Sequence, residues 1–390
     1  MRLILHIGTP KTGTSAVQRF LCANRQRLAE SDVHYATPHG SGQANAVANA
    51  LRTGDSRAVN AFLIKQVKAA RQRGAETLLI SAENFYARNI HAAMQQQQIV
   101  PNASERDQMF VEALRELIPD EIATCQIACY LRRPDRYAES LYNQHVKRGI
   151  IDSTFDEFLS LIEPALSYDR CLYPWADAFG QRNCVLRVYD FTKKDVVGDF
   201  VMNVLGIQNV SQFSHVHNQA NERLARDLLE FKRLKNRTAR FGERHVEDAI
   251  LSLVNEEIGL RREEPASYQD FLSPEDRAGL LRKLQPELDS LQASYGIPAF
   301  PPFDREAAKA SWSPYPGLTR ERREAIEMHY DRANKRVAFR LERMMLRSAG
   351  LLRKTVPGSG ALIDALKRVG VKRALHGFLR GMRGGAFDVR

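Results

Sequence analysis

Ten residues near the start of the chain, His6-Ile7-Gly8-Thr9-Pro10-Lys11-Thr12-Gly13-Thr14-Ser15, combine two glycines, one lysine and four hydroxyl side chains. They follow the apolar segment Leu3-Ile4-Leu5 and open a helical pattern through Val17, Phe20 and Leu21. Strand, Gly-rich loop and helix is the arrangement in which backbone N–H groups and a helix N-terminus cradle a phosphate. The spacing departs from the nucleoside-triphosphate pattern G-x4-G-K-[ST], which, started at Gly8, would put lysine where Thr14 stands. The lysine is Lys11 instead, two residues before Gly13. A chance Gly/Thr turn has the same composition, so the loop alone leaves both readings open.

A second constellation lies further on. The apolar run Gln126-Ile127-Ala128-Cys129-Tyr130-Leu131 ends in Arg132-Arg133-Pro134-Asp135, and a helical segment carrying Ser140 follows. Arg132 at a strand end and Ser140 one or two helical turns onward can face one phosphate, the arginine as a charge-assisted fork and the serine as a neutral hydroxyl. An arginine-rich turn before a helix is the plainer reading. It loses ground because the Lys11 loop stands at another strand end.

The elements that must position these residues alternate. Strands are expected at Arg2–Ile7, Thr77–Ser81, Gln126–Leu131 and Cys184–Val188, with helices at about 13–29, 105–117, 135–149 and 195–205. This alternation predicts an α/β fold, a P-loop-like central parallel sheet flanked by helices, with ligands at the loops beyond the strand C-termini. From about 220 the pattern is helical, including Leu224, Leu228, Leu229, Phe231 and Leu234 and a long segment near 319–348. The expected division is one domain over 1–345, with its sheet core in 1–210 and a helical portion in 215–345, followed by a tail over 346–390.

Composition narrows the class. Among 390 residues, lysine plus arginine equal aspartate plus glutamate over 1–300 (37 against 37), whereas 301–390 carry 20 against 9. A neutral body with a basic appendage is not the even charge of a nucleic-acid binder, and no nucleic-acid partner is expected. No run approaches the ~20 apolar residues of a membrane span, and the first strand starts too near Met1 for a signal-peptide order. The five cysteines (Cys22, Cys125, Cys129, Cys171 and Cys184) are odd in number and form no CxxC pair, which fits reduced thiols rather than disulfides or zinc. The expectation is a cytoplasmic protein. In the tail, Val371, Ala374, Leu375, Phe378, Leu379 and Met382 form one apolar helical stripe, with Lys372, Arg373, His376, Arg380 and Arg383 mainly off it. Two roles stay open for this stripe: packing on the body or a second subunit, or peripheral contact with an anionic inner-membrane face.

Together, Pro10-Lys11-Thr12-Gly13-Thr14-Ser15 and Arg132-(x7)-Ser140 resemble the two donor-binding motifs of the sulfotransferase superfamily that uses 3′-phosphoadenosine 5′-phosphosulfate (PAPS), most like its bacterial carbohydrate-type members. Asn183–Asp190 with the helix ending Leu205-Gly206-Ile207 resembles a later strand and docking helix, and Tyr330–Asn334 a closing helix; the likeness spans roughly 1–345. It departs at Arg133, where many members carry Asp or Asn. The resemblance implies that Lys11, Thr12, Gly13, Thr14 and Ser15 hold the 5′-phosphosulfate and Arg132 with Ser140 the 3′-phosphate. It implies PAPS as donor without a metal, Lys11 standing where phosphoryl transfer uses Mg²⁺. The acceptor would be a hydroxyl, of a carbohydrate or glycoconjugate, and needs a base. Glu83, beyond the strand Leu78–Ser81, is the first choice, His145 and His34 are rivals, and a helix-capping surface glutamate is the plainer alternative. His6, inside the first strand, reads as a satisfied core or edge histidine. Lys147 and Arg148 could meet an anionic acceptor or simply end a helix. Two other classes remain as alternatives: a P-loop kinase or NTPase, disfavoured by Lys11 and by the lack of a Walker-B-like aspartate, and a non-enzymatic polyanion- or membrane-binding protein.

Overall fold

Five parallel strands make one sheet in the order β2-β3-β1-β4-β5 in the computed structural model of the chain. They are β1 Arg2–Gly8, β2 Val33–Ala36, β3 Thr77–Ser81, β4 Thr124–Leu131 and β5 Cys184–Val188, each pairing in parallel with its neighbours. The structure describes residues 1–336 apart from 39–41, 88–89, 91–102, 193, 215–222, 238–249, 252 and 256–269. The basic stripe in the tail lies outside these residues.

Sequence and structure agree on four strands and differ on β2. That strand is four residues long and sits at the sheet edge, so little but its pairing with β3 defines it. Central strands show why they are central: every residue of β1 from Leu3 to Gly8 is buried. Both faces of the strand are therefore covered, as parallel sheets require. On one face Ile4, Leu79, Ala128 and Tyr130 pack with Val17, Phe20 and Leu21 of the first helix, α1 (Thr14–Ala23), and with Phe200, Val201 and Val204.

Predicted helices appear with sharper ends. The one placed at 13–29 is two, α1 and α2 (Arg25–Glu30), divided at Asn24. Its side-chain amide donates to the carbonyls of Phe20 and Ser214 and accepts from the Ser214 amide, at 2.7–3.1 Å, so tertiary bonds set the break. The 195–205 segment is α-helical over Val196–Phe200 and π-helical over Val201–Leu205. Helices at Ala103–Glu116 and Pro134–Lys147 lie where the pattern puts them.

The chain divides into two compact units. The first comprises 1–142, 154–221 and 271–312 and holds the whole sheet; the second comprises 143–153 and the described residues within 222–270 and from 313 onward. Within the second unit, the helix Arg226–Asn236 and the helical residues 320–336 meet through Phe231 and Tyr330, with ring centroids 5.7 Å apart. The Tyr315 hydroxyl donates to Asp227 at 2.6 Å, and Asn236 donates to the Val146 and Ile151 carbonyls.

Candidate active site

The loop between β1 and α1 sits where the sheet reverses its winding. β1 lies between β3 and β4, so the chain leaves it toward β2 and β3 and later crosses back to β4 and β5. In open α/β sheets, that crevice beyond the strand ends is where ligands bind. The loop is braced from beneath. Thr9 donates its hydroxyl and its amide to the Tyr130 carbonyl of β4, and the Thr12 and Thr14 hydroxyls both donate to the Thr9 carbonyl, at 2.6 and 3.1 Å. The hydroxyls of Thr12 and Thr14 thus spend their protons on the loop itself. Ser15 is exposed, and Lys11 and Gly13 are half-buried.

Backbone conformation there is unusual. Lys11 has φ 68°, a left-handed geometry that costs an ordinary residue about 1–2 kcal/mol and gathers at ligand-binding loops. Gly13 has φ 80°, and a Cβ added to it would stand 2.8 Å from Val196 Cγ1 and 3.2 Å from Tyr189 Cε2. Only glycine meets both demands. The first intrahelical donors of α1 are Ala16 and Val17, both bonding the Gly13 carbonyl. The amides of Thr14 and Ser15 are therefore the orphan donors of a helix start, on the positive end of its dipole.

Tyr189 connects this loop with the second motif. Its ring, in contact range of Gly13, also carries the Arg132 guanidinium 5.8 Å from its centroid. Tyr168 donates its hydroxyl to the Arg132 carbonyl, and Asp190 accepts from the Arg133 amide at 2.8 Å, which fixes the turn after β4. Among the described residues no hydrogen bond or ion pair takes up the Arg132 guanidinium, and its Nε is buried without a partner. A half-buried guanidinium with unused donors has the chemistry that takes up an anion. Ser140, half-buried on the helix Pro134–Lys147, lies two turns on.

Arg133 behaves differently from its neighbour. It forks onto Asp135 at 2.7 and 2.9 Å and donates to the Pro301 and Pro302 carbonyls. Arg277, almost wholly buried, joins Asp135 to Glu139. Burial by itself would raise the Asp135 pKa, but the bonds and charges of Arg133 and Arg277 outweigh it and hold it below the usual value. Arg277 has no local sequence signal; it reaches this network from more than 130 residues away.

Among the proposed bases, Glu83 stands beside the loop. It opens the 3-10 turn after β3, and its Cα is 3.3 Å from where a Gly8 side chain would begin. His34 is elsewhere. It is level with Leu78 of β3, hence with Leu3 of β1, about 16 Å along the strand from Gly8 at the usual rise per residue. There it bonds Gln66 at 3.1 Å and meets Arg73. His145 belongs to the second unit and is buried. His6 is a core residue as expected, bonded to Ser81, which also accepts from Gln18; burial lowers its pKa to about 4. Sequence reasoning missed Tyr189 and Arg277 as working parts. For Tyr189 a signal existed, since it directly follows the β5 strand.

No protein-family model and no curated protein matches the chain. Among solved structures it is similar to a sulfotransferase from Alicyclobacillus acidocaldarius, at 14% identity over 76% of this chain and 97% of that one, with a TM-score of 0.38.

Proposed function

We propose that the protein is a sulfotransferase that moves a sulfuryl group from PAPS to an acceptor hydroxyl, with a carbohydrate or glycoconjugate as acceptor. One observation carries the reading: a helix-start loop with a left-handed lysine and, joined to it through Tyr189, an arginine whose donors are unspent. Two groups of this chemistry suit a nucleotide bearing both a 5′-phosphosulfate and a 3′-phosphate. The Thr14 and Ser15 amides with Lys11 would hold the 5′ end, and Arg132 with Ser140 the 3′-phosphate.

Transfer would run in line. The acceptor oxygen forms a bond to sulfur as the bond from sulfur to the bridging oxygen breaks. The acceptor proton passes to Glu83, and the charge left on the 5′-phosphate is met by Lys11 and the helix start. The neutral charge of residues 1–300 suits an uncharged acceptor, and a cytoplasmic setting with peripheral membrane contact through the tail belongs to the same proposal.

The test measures adenosine 3′,5′-bisphosphate binding by calorimetry and sulfuryl transfer from labelled PAPS to a glycan panel. Lys11→Ala should lower turnover by ~10³-fold, in the range for losing one group that stabilises transition-state charge, and keep bisphosphate affinity within about tenfold of the parent. Glu83→Gln should lower turnover by ~10²-fold with affinity kept. A parent protein that ignores the bisphosphate but binds ATP would favour the kinase class instead.

A further inference from the structure

Beside Glu83 the first unit assembles a chain of side-chain amides. Glu83 and Asn84 open the 3-10 turn Glu83–Phe85 after β3, and both are half-buried. The helix Asn45–Arg52 is tied to the end of that strand, the Ala44 amide donating to the Ser81 carbonyl at 2.8 Å. Val47, Ala48 and Leu51 are the buried residues of this helix. Asn45 and Asn49, four apart, lie along another face. The Asn84 backbone N–H donates to Asn45 Oδ1 at 3.1 Å, and its side-chain Nδ2 donates to Asn49 Oδ1 at 3.0 Å. Asn45 Nδ2 donates in turn to Gln43.

Two groups are left over. Among the described residues, nothing bonds Asn84 Oδ1 or Asn49 Nδ2. The bond between the two side chains holds one acceptor and one donor together, on residues that adjoin Glu83 in the chain or in space. Helix stability does not select this arrangement. Asparagine is a weak helix former, and Asn49 is an exposed residue in the middle of an eight-residue helix. The chemistry fits neutral hydroxyls in neighbouring positions, because each hydroxyl both donates and accepts, as the amide pair requires. Polar groups that bond a substrate hydroxyl also discriminate against an analogue that lacks it.

We infer that Asn84 and Asn49 hold the acceptor. Asn84 Oδ1 accepts from, and Asn49 Nδ2 donates to, hydroxyls adjoining the one whose proton passes to Glu83. The acceptor is then a sugar ring with vicinal hydroxyls, not a phenol or a simple alcohol. This rests on the transfer reaction proposed above, and sugar binding measured without turnover keeps the two separable.

The probes are cellotetraose, maltotetraose and N-acetylchitotetraose, with 4-nitrophenol as an acceptor of one isolated hydroxyl. Binding to the full chain is read by saturation-transfer NMR, with and without adenosine 3′,5′-bisphosphate, and transfer is read with labelled PAPS. At least one tetrasaccharide should bind the parent, and Asn84→Ala and Asn49→Ala should each weaken it about fivefold or more, as loss of a neutral hydrogen bond does. In transfer, the same variants should raise the acceptor KM by that factor, with kcat within about twofold and bisphosphate affinity unchanged. Asn49→Ala changes an exposed side chain, so it reports on the sugar contact even where Asn84→Ala disturbs the turn. A parent that binds none of the tetrasaccharides, or equal binding in the parent and both variants, overturns the inference. If a tetrasaccharide binds through both asparagines and no sulfuryl group moves, the transfer reading fails and the sugar site stands. If the sulfuryl group passes to 4-nitrophenol alone, the transfer reading stands and the sugar site fails.

Discussion

Arg132 and Arg133 are neighbours in sequence with opposite electrostatic circumstances. Arg133 is enclosed by Asp135, with Arg277 and Glu139 completing a buried network, and by the Pro301 and Pro302 carbonyls. Every strong donor there has an acceptor. Arg132 rests on an aromatic face, and its guanidinium lacks any described hydrogen-bond partner. The difference teaches how one turn divides labour: a satisfied charge holds the scaffold, and its neighbour keeps donors of the kind that bind an anion. A buried ion network adds little by itself, since desolvation offsets most of its attraction. Removing one member leaves the others stranded, which is why the network fixes the turn.

The comparison breaks first on the scaffold side. Asp135→Asn leaves Arg133 and Arg277 buried without their shared carboxylate and should destabilise the fold by ~3–5 kcal/mol, seen as a lower denaturant midpoint. A loss under ~1 kcal/mol would mean that the network is not what holds the turn. On the binding side, Arg132→Ala should cost ~1.5–3 kcal/mol of bisphosphate affinity, the worth of a hydrogen bond to a charged group, with the denaturant midpoint unchanged. Equal loss of stability in both variants would erase the distinction between the two arginines.

Acid sharpens it. The Asp135 pKa in the folded chain is depressed, so its contribution is present above the unfolded value, near ~3.9, and is lost as pH falls through the lower folded one. Denaturant midpoints of the parent should therefore fall below about pH 4, and Asp135→Asn should flatten that limb. The smallest effect is expected at His34, whose register puts it level with Leu78, toward the other end of the strands. His34→Gln should leave transfer unchanged; a tenfold loss would place the base at the sheet edge after all.

Much of the architecture was legible because local chemistry enforced it. Gly8 and Gly13 frame a loop whose glycines are required by positive φ and close neighbours, and continuous apolar runs announced the buried strands β1, β3 and β4. The edge strand β2 was not legible, because four residues carry too little pattern and its pairing partner is more than forty residues away. Nor was the break at Asn24, made by bonds to Ser214.

The sequence by itself determined the Gly-rich loop between the first strand and the first helix, the strand ends that carry Lys11, Glu83 and Arg132, and the core role of His6, since each depends on neighbours within a few positions. Tertiary structure alone decided that Glu83 lies against Gly8, that Tyr189 spans Gly13 and Arg132, that Arg277 completes the Arg133 network, and that His34 stands away from the loop. Those facts come from register, crossover order and long-range packing. They are set by which surfaces bury one another, and no local spacing encodes them.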